Sequence, residues 1–317
     1  LLRGGRTRVI ASQNPLPAYA SIHGAIEPIA RNHRLQHGLA FQPAAEQLAR
    51  SDRDDDSINA DQWRLDVEEL SRLSRFTYGK DIELAKAWLL SQFQNIPGLV
   101  VHEQLFAMPG SQASNVMAIL PGRSRAQETF IIGAHYDSIS ERASAVAPGA
   151  EDNASGVAGL LALAKHFAER PPEATLVFVA FAGEEQGLYG SEFFTEEWLK
   201  NEKASIIKGV FIMDMIGYSK DGELDCLLET SAASKPLLLS IQAANTDPEL
   251  KLVESFDYWG SDHVPFLDRE IPAVLFITND YLDYPDYHRS TDTPDKPHPT
   301  LAAKTLRLMV ASLQQLI

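Results

Sequence analysis

Cysteine is nearly absent from this chain: Cys226 is the only one among 317 residues. A single thiol excludes an internal disulfide and any cysteine-built zinc cluster, and leaves the redox compartment open. In the stretch 223–229 it reads as a small apolar residue. Long apolar runs are missing too. The longest, 154–164 and 176–182, fall short of the roughly 18 uncharged apolar residues of a membrane span, so none is expected. Basic charge is scarce, with 28 Lys plus Arg against 43 Asp plus Glu, a formal net charge of -15 and a pI near 5.0. That balance argues against nucleic-acid and anionic-membrane partners, since both need a basic face to displace counterions. The chain begins with Leu1, without a basic segment followed by an apolar one, which reads as a processed or trimmed product.

What is present is enough apolar material, 44% of residues, for a large core without staples. Composition divides the chain near residue 60. Residues 1–60 hold seven Arg, no Lys and six acids, whereas the remainder is strongly acidic. The first part also carries scattered prolines, the charge run 52–56 and His23, His33 and His37, which have no ligand-like surroundings. It reads as an N-terminal extension or pro-segment with partial helix over 43–50, followed by a single domain over 61–317. From Asp61, Trp63, Val67, Leu70 and Leu73 mark a helix, and a second is expected over 80–93.

Beyond these, strand-like runs at 100–105, 115–120, 129–134, 175–182, 209–213 and 273–278 alternate with helical stretches at 155–169, 190–203, 233–246 and 300–316. The pattern predicts an α/β fold, a mixed, mostly parallel central β-sheet sandwiched by helices. Sites in such sheets gather at the carboxyl ends of the strands.

Three of the runs end in metal-competent residues. His135 and Asp137 follow 129–134, Glu184 and Glu185 follow 175–182, and Asp214 follows 209–213. A Glu-Glu dipeptide alone is commonplace on a turn, and Asp214 alone could be a helix cap, but neighbouring parallel strands would bring these ends together. Asp152 lies just before a helix whose Gly156 and Gly159 cost about 1 kcal/mol each relative to Ala, a sign of close backbone approach. Asp152 could also be only the cap of that helix. His288 sits in the loop 284–293. Two imidazoles and three carboxylates form an N/O donor set that suits zinc or other first-row ions, too many for one tetrahedral ion and enough for two if a carboxylate bridges. Asp137 is placed to accept the His135 imidazole N–H.

Five segments, 135–138, 149–156, 181–191, 213–217 and Tyr287-His288, together resemble the co-catalytic zinc aminopeptidases of peptidase family M28. The resemblance runs from about Asp61 to the C-terminus. It implies two zinc ions, one held by His135 and Asp214, the other by Glu185 and His288, with Asp152 bridging, and Glu184 as general base. It also implies a cis peptide after Asp152 and a tyrosine that hydrogen-bonds the reacting carbonyl, Tyr258 in preference to Tyr287. Some members have a disulfide near that tyrosine, where this chain has Trp259 and Gly260. The implied partners are peptides with a free N-terminus. A large apolar first residue is expected against some of Phe256, Tyr258, Trp259 and Phe266, with at least half of these four packing the core. A secreted or periplasmic monomer is the expected form. The rival readings are a glutaminyl-peptide cyclotransferase of the same fold, a carboxypeptidase of the family, and an inactive binding relative.

Overall fold

Why the first helix begins where it does is clear from its cap. In a computed structural model of the chain, which describes residues 39–41 and 58–317, the Asn59 side chain accepts the amide of Gln62. Such a cap is worth about 1 kcal/mol. It opens α1 (Ala60–Ser71), whose Trp63, Val67 and Leu70 are buried. The Trp63 indole donates to the carbonyl of Ser155 at 2.9 Å, pinning α1 to the start of another helix. The expected helix over 43–50, the charge run 52–56 and the three N-terminal histidines lie outside the described residues.

The described strands form one nine-stranded sheet in the order β1-β8-β7-β9-β6-β4-β5-β3-β2. In chain order these are β1 (Leu39–Phe41), β2 (Val100–Met108), β3 (Ser111–Leu120), β4 (Arg125–His135), β5 (Ala174–Phe181), β6 (Ile207–Met213), β7 (Asp225–Thr230), β8 (Lys251–Ser255) and β9 (Ala273–Thr278). The centre, β5-β4-β6-β9, is parallel. Antiparallel pairings lie toward the edges, and the sheet is mixed as expected. The strands β1, β7 and β8 were not expected as such. The last two are short and punctuated by charged residues, so they lack the continuous apolar run that betrays a central strand.

Central strands are apolar on both faces because helices cover both. Phe130, Ile132, Leu176, Phe178, Phe211 and Met213 face the layer built from α1, α2 (Asp81–Gln94), α3 (Ser155–Glu169), α5 (Lys235–Ala244) and α7 (Pro299–Leu316). Their alternating neighbours Ile131, Val177, Val179 and Ile212 face α4 (Tyr189–Asn201) and the short α6 (Val264–Leu267). A Cβ at Gly156 would lie 2.8 Å from the Met213 carbonyl oxygen. That contact bears out the close approach of α3 to the end of β6. Among the described residues no helix is long and apolar enough to cross a membrane.

Candidate metal centre

The strand order places β5, β4 and β6 side by side with their carboxyl ends at one edge. His135 ends β4, Asp214 follows β6, and Glu184 and Glu185 follow β5 after Gly183, whose φ of 73° turns the chain over the strand ends. Asp152 arrives from the bend that precedes α3, and His288 from the loop before α7. Met215 and His288 both have left-handed backbone, with φ of 54°. Such strain costs on the order of 1–3 kcal/mol and concentrates at functional sites. The peptide between Asp152 and Asn153 is cis, as expected.

These residues form two triads that share Asp152: His135, Asp152 and Asp214 in one, Asp152, Glu185 and His288 in the other. His135 Nε2 lies 3.3 Å from Asp152 Oδ1 and 3.4 Å from Asp214 Oδ1. His288 Nε2 lies 3.2 Å from Asp152 Oδ2 and 3.0 Å from Glu185 Oε2. Two ligands about 2.0–2.1 Å from a tetrahedral ion stand roughly 3.3 Å apart, so the histidine–carboxylate distances of both triads are those of zinc ligands. The two oxygens of Asp152 belong to different triads, the arrangement of a bridging carboxylate. Glu185 Oε1 is buried with no hydrogen-bond partner among the described residues.

The electrostatics point the same way. Burial holds the Glu184 carboxyl well above the usual carboxylate range, with His135 opposing and Glu185, Asp214 and Asp262 adding to the rise. Burial pushes Glu185 up to about 7 against the pull of His288. Burial would lower His135 and His288, yet the carboxylates around them raise both well above their ordinary value. A buried cluster this rich in acids is relieved by a dication.

Supporting groups fix the ligands. His135 Nδ1 lies 3.1 Å from the carbonyl oxygen of Asp137. A carbonyl can only accept, so this bond puts the proton on Nδ1 and leaves Nε2 for a metal. The Asp137 carboxylate was expected in that role. Its Oδ1 lies 3.8 Å from the ring nitrogen, and it instead accepts the amides of Glu184 and Glu185, each at 3.3 Å, and the hydroxyl of Thr77. It therefore orients the Glu-Glu pair. Asp292 accepts the amides of Glu151 and Asp152 and the hydroxyl of Tyr284. Fully buried Arg75 donates to the carbonyls of Leu70, Tyr136, Pro148 and Gly149, tying the end of β4 to the segment that carries Asp152. Sequence patterns pointed to neither Arg75 nor Asp292. Most of their partners are backbone atoms distant in sequence, which leave no periodic trace.

The cavity over the triads is lined on its other side by Met215, Trp259, Leu275, Ile277, Leu282 and Tyr287. Of the four candidate aromatics, at least half of which were expected in the core, Trp259 lines it. Phe266 is fully buried against Phe181 and Phe194, and Phe256 packs against the opposite core layer. Tyr258 is absent from the lining. Its hydroxyl donates to Asp268 Oδ1 at 3.2 Å, because the end of α6 sets that carboxylate within reach. Tyr287 does line the cavity and stacks on the His288 ring.

The family model described as peptidase family M28 matches residues 115–313. The chain belongs to peptidase family M28. A similar curated protein is a probable zinc metalloprotease of Pyrenophora tritici-repentis, 29% identical over 261 residues, 67% of this chain and 59% of the relative. The chain thus spans less than two thirds of that relative's length. Among solved structures, the LapA aminopeptidase of Legionella pneumophila superposes with a TM-score of 0.68 at 22% identity, covering 82% of this chain and 72% of that one. A glutaminyl cyclase from an Acidobacteriales bacterium superposes equally well, with a TM-score of 0.68 at 19% identity, over 87% and 98% of the two chains. The M28 fold is common to both activities, so shape alone does not separate them.

Proposed function

We propose that the protein is a zinc aminopeptidase that binds two zinc ions and removes a large apolar residue from the N-terminus of peptides. The observation that carries this reading is the division of Asp152, with one oxygen in each histidine-centred triad. His135 and Asp214 would hold one ion, Glu185 and His288 the other, and Asp152 both. When bound, the ions supply positive charge that acidifies water from a pKa of about 15.7 toward about 7 and polarises a carbonyl oxygen.

The protein's own groups do the rest. Glu184, held over the strand ends by the hydrogen bond its amide donates to Asp137, takes a proton from the attacking water and returns it to the leaving amine. Glu185, committed to the His288 triad, is the ligand of the pair. The acidic wall of Asp152, Asp214 and Glu184 suits the substrate's free ammonium group. The apolar wall of Met215, Leu275, Ile277 and Leu282 suits its first side chain. Tyr258, whose hydroxyl donates to Asp268 here, is the proposed donor to the developing oxyanion. Catalytic hydrogen bonds often form only with substrate bound.

The deciding assay sets leucine p-nitroanilide against a peptide with N-terminal glutamine. Chelator-sensitive release of nitroaniline supports the reading. Cyclisation of the glutamine peptide without anilide hydrolysis would replace it with a glutaminyl cyclase, and inactivity on both with no bound zinc would favour a binding protein.

A further inference from the structure

The loop between β8 and α6 brings Trp259, Gly260 and Ser261 to the cavity. It has no regular structure from 256 to 263, apart from the left-handed turn at Gly260, with φ of 70°. Two of its bonds reach the strand side of the cavity. The Ser261 hydroxyl donates to Asp214 Oδ2 at 2.8 Å, and the Trp259 amide donates to Glu229 Oε1 at 2.8 Å. Glu229 is on β7, opposite Leu275 of β9, itself part of the cavity lining. The same Glu229 oxygen lies 3.2 Å from His263 Nε2, and neither side chain has any solvent exposure. Desolvating such a pair is costly, and an apolar pair of similar volume often serves stability as well. Here the carboxylate instead fixes the backbone of a residue in the pocket wall.

We propose that Glu229 and His263 act as a positioning pair that sets where Trp259 stands and so how large a first side chain the pocket holds. The inference rests on the aminopeptidase reading for its substrates, and zinc content reports separately on the loop's other bond, from Ser261 to Asp214. The His263 imidazole, at the start of α6, lies against the Glu229 carboxylate that holds the middle of the loop, so the pair joins the loop's far end to β7. Without the pair, the wall stays in the chain but not in register with Leu275 and Ile277. Selectivity between large and small first residues then falls, while the proton-transfer geometry at Glu184 is kept.

The test compares kcat/KM on leucine and alanine p-nitroanilides for the wild-type protein, Glu229→Leu, Glu229→Gln and His263→Gln, with zinc content measured for each. Glu229→Leu should cut the leucine-over-alanine preference about tenfold, the worth of about one hydrogen bond, mainly through KM. Glu229→Gln keeps an acceptor for the Trp259 amide and should restore most of the preference. Acrylamide quenching of Trp259, read as the difference from a Trp259→Phe background, should increase in Glu229→Leu and in His263→Gln. An unchanged preference together with unchanged quenching in both variants would overturn the proposal. If Glu229→Leu does not fold, His263→Gln carries the same two readouts. If the wild-type protein cleaves neither anilide, the aminopeptidase reading fails, and the quenching result alone decides whether the pair holds the wall.

Discussion

The two walls of the cavity are built in opposite ways. One wall is the set of strand ends, where His135, Glu185 and Asp214 are buried and each supporting group, Asp137, Asp292 or Arg75, bonds to the backbone nearby. The other is assembled from β9, the loop 256–263 and the loop around Tyr281, and presents mostly apolar side chains. The first wall needs geometry accurate to a few tenths of an ångström, because ligand spacing decides whether an ion binds. The second needs only shape, and shape can change without loss of the chemistry. Substitutions on the first wall should therefore act on metal and kcat, and those on the second on KM.

The largest effect is expected at Asp152, which belongs to both triads. Asp152→Ala should lose bound zinc and lower activity by at least about 10³-fold, since several kcal/mol of charge stabilisation go with the ions. Metal analysis by mass spectrometry checks it, and retention of full zinc would remove Asp152 from the bridging role. Next is Glu184→Gln, which should keep its zinc and lower kcat by roughly 10² to 10⁴. A fully active variant would refute the role of base. Tyr258→Phe should lower kcat by about 10²-fold, the worth of one oxyanion donor, with KM little changed. The same loss in Tyr287→Phe and none in Tyr258→Phe would move that role to the tyrosine already at the cavity. The smallest effect belongs to the apolar wall. Ile277→Ala should lower kcat/KM for leucine substrates about tenfold through KM, and a drop in kcat instead would erase the distinction between the walls.

The two walls also differ in how far they could be read from sequence. His135, Glu184, Glu185 and Asp214 each end a continuous Val, Ile and Phe run, so the strand pattern alone brings them to one edge. Asp152 was marked by the small residues after it, because Gly156 lets α3 sit against the Met213 carbonyl. The apolar wall was harder to read. Leu275 and Ile277 are simply alternate residues of an apolar strand, and nothing in their spacing says that their face meets a cavity. Phe266 looked equally suited to a pocket and proved to be core. Tyr258 kept the expected place in the chain but turned to Asp268, a choice made by two side chains ten residues apart. Arg75, with four carbonyl partners from residues 70 to 149, and Asp137, which holds the amides of Glu184 and Glu185, act through the backbone. No pattern of residue types records such bonds.

The most direct test of the account is a crystal structure of the zinc-loaded protein with anomalous data collected on both sides of the zinc edge. Two peaks are predicted, one beside His135, Asp214 and Asp152 Oδ1, the other beside Glu185, His288 and Asp152 Oδ2. A single peak at full zinc loading, with Asp152 on one ion only, would contradict it.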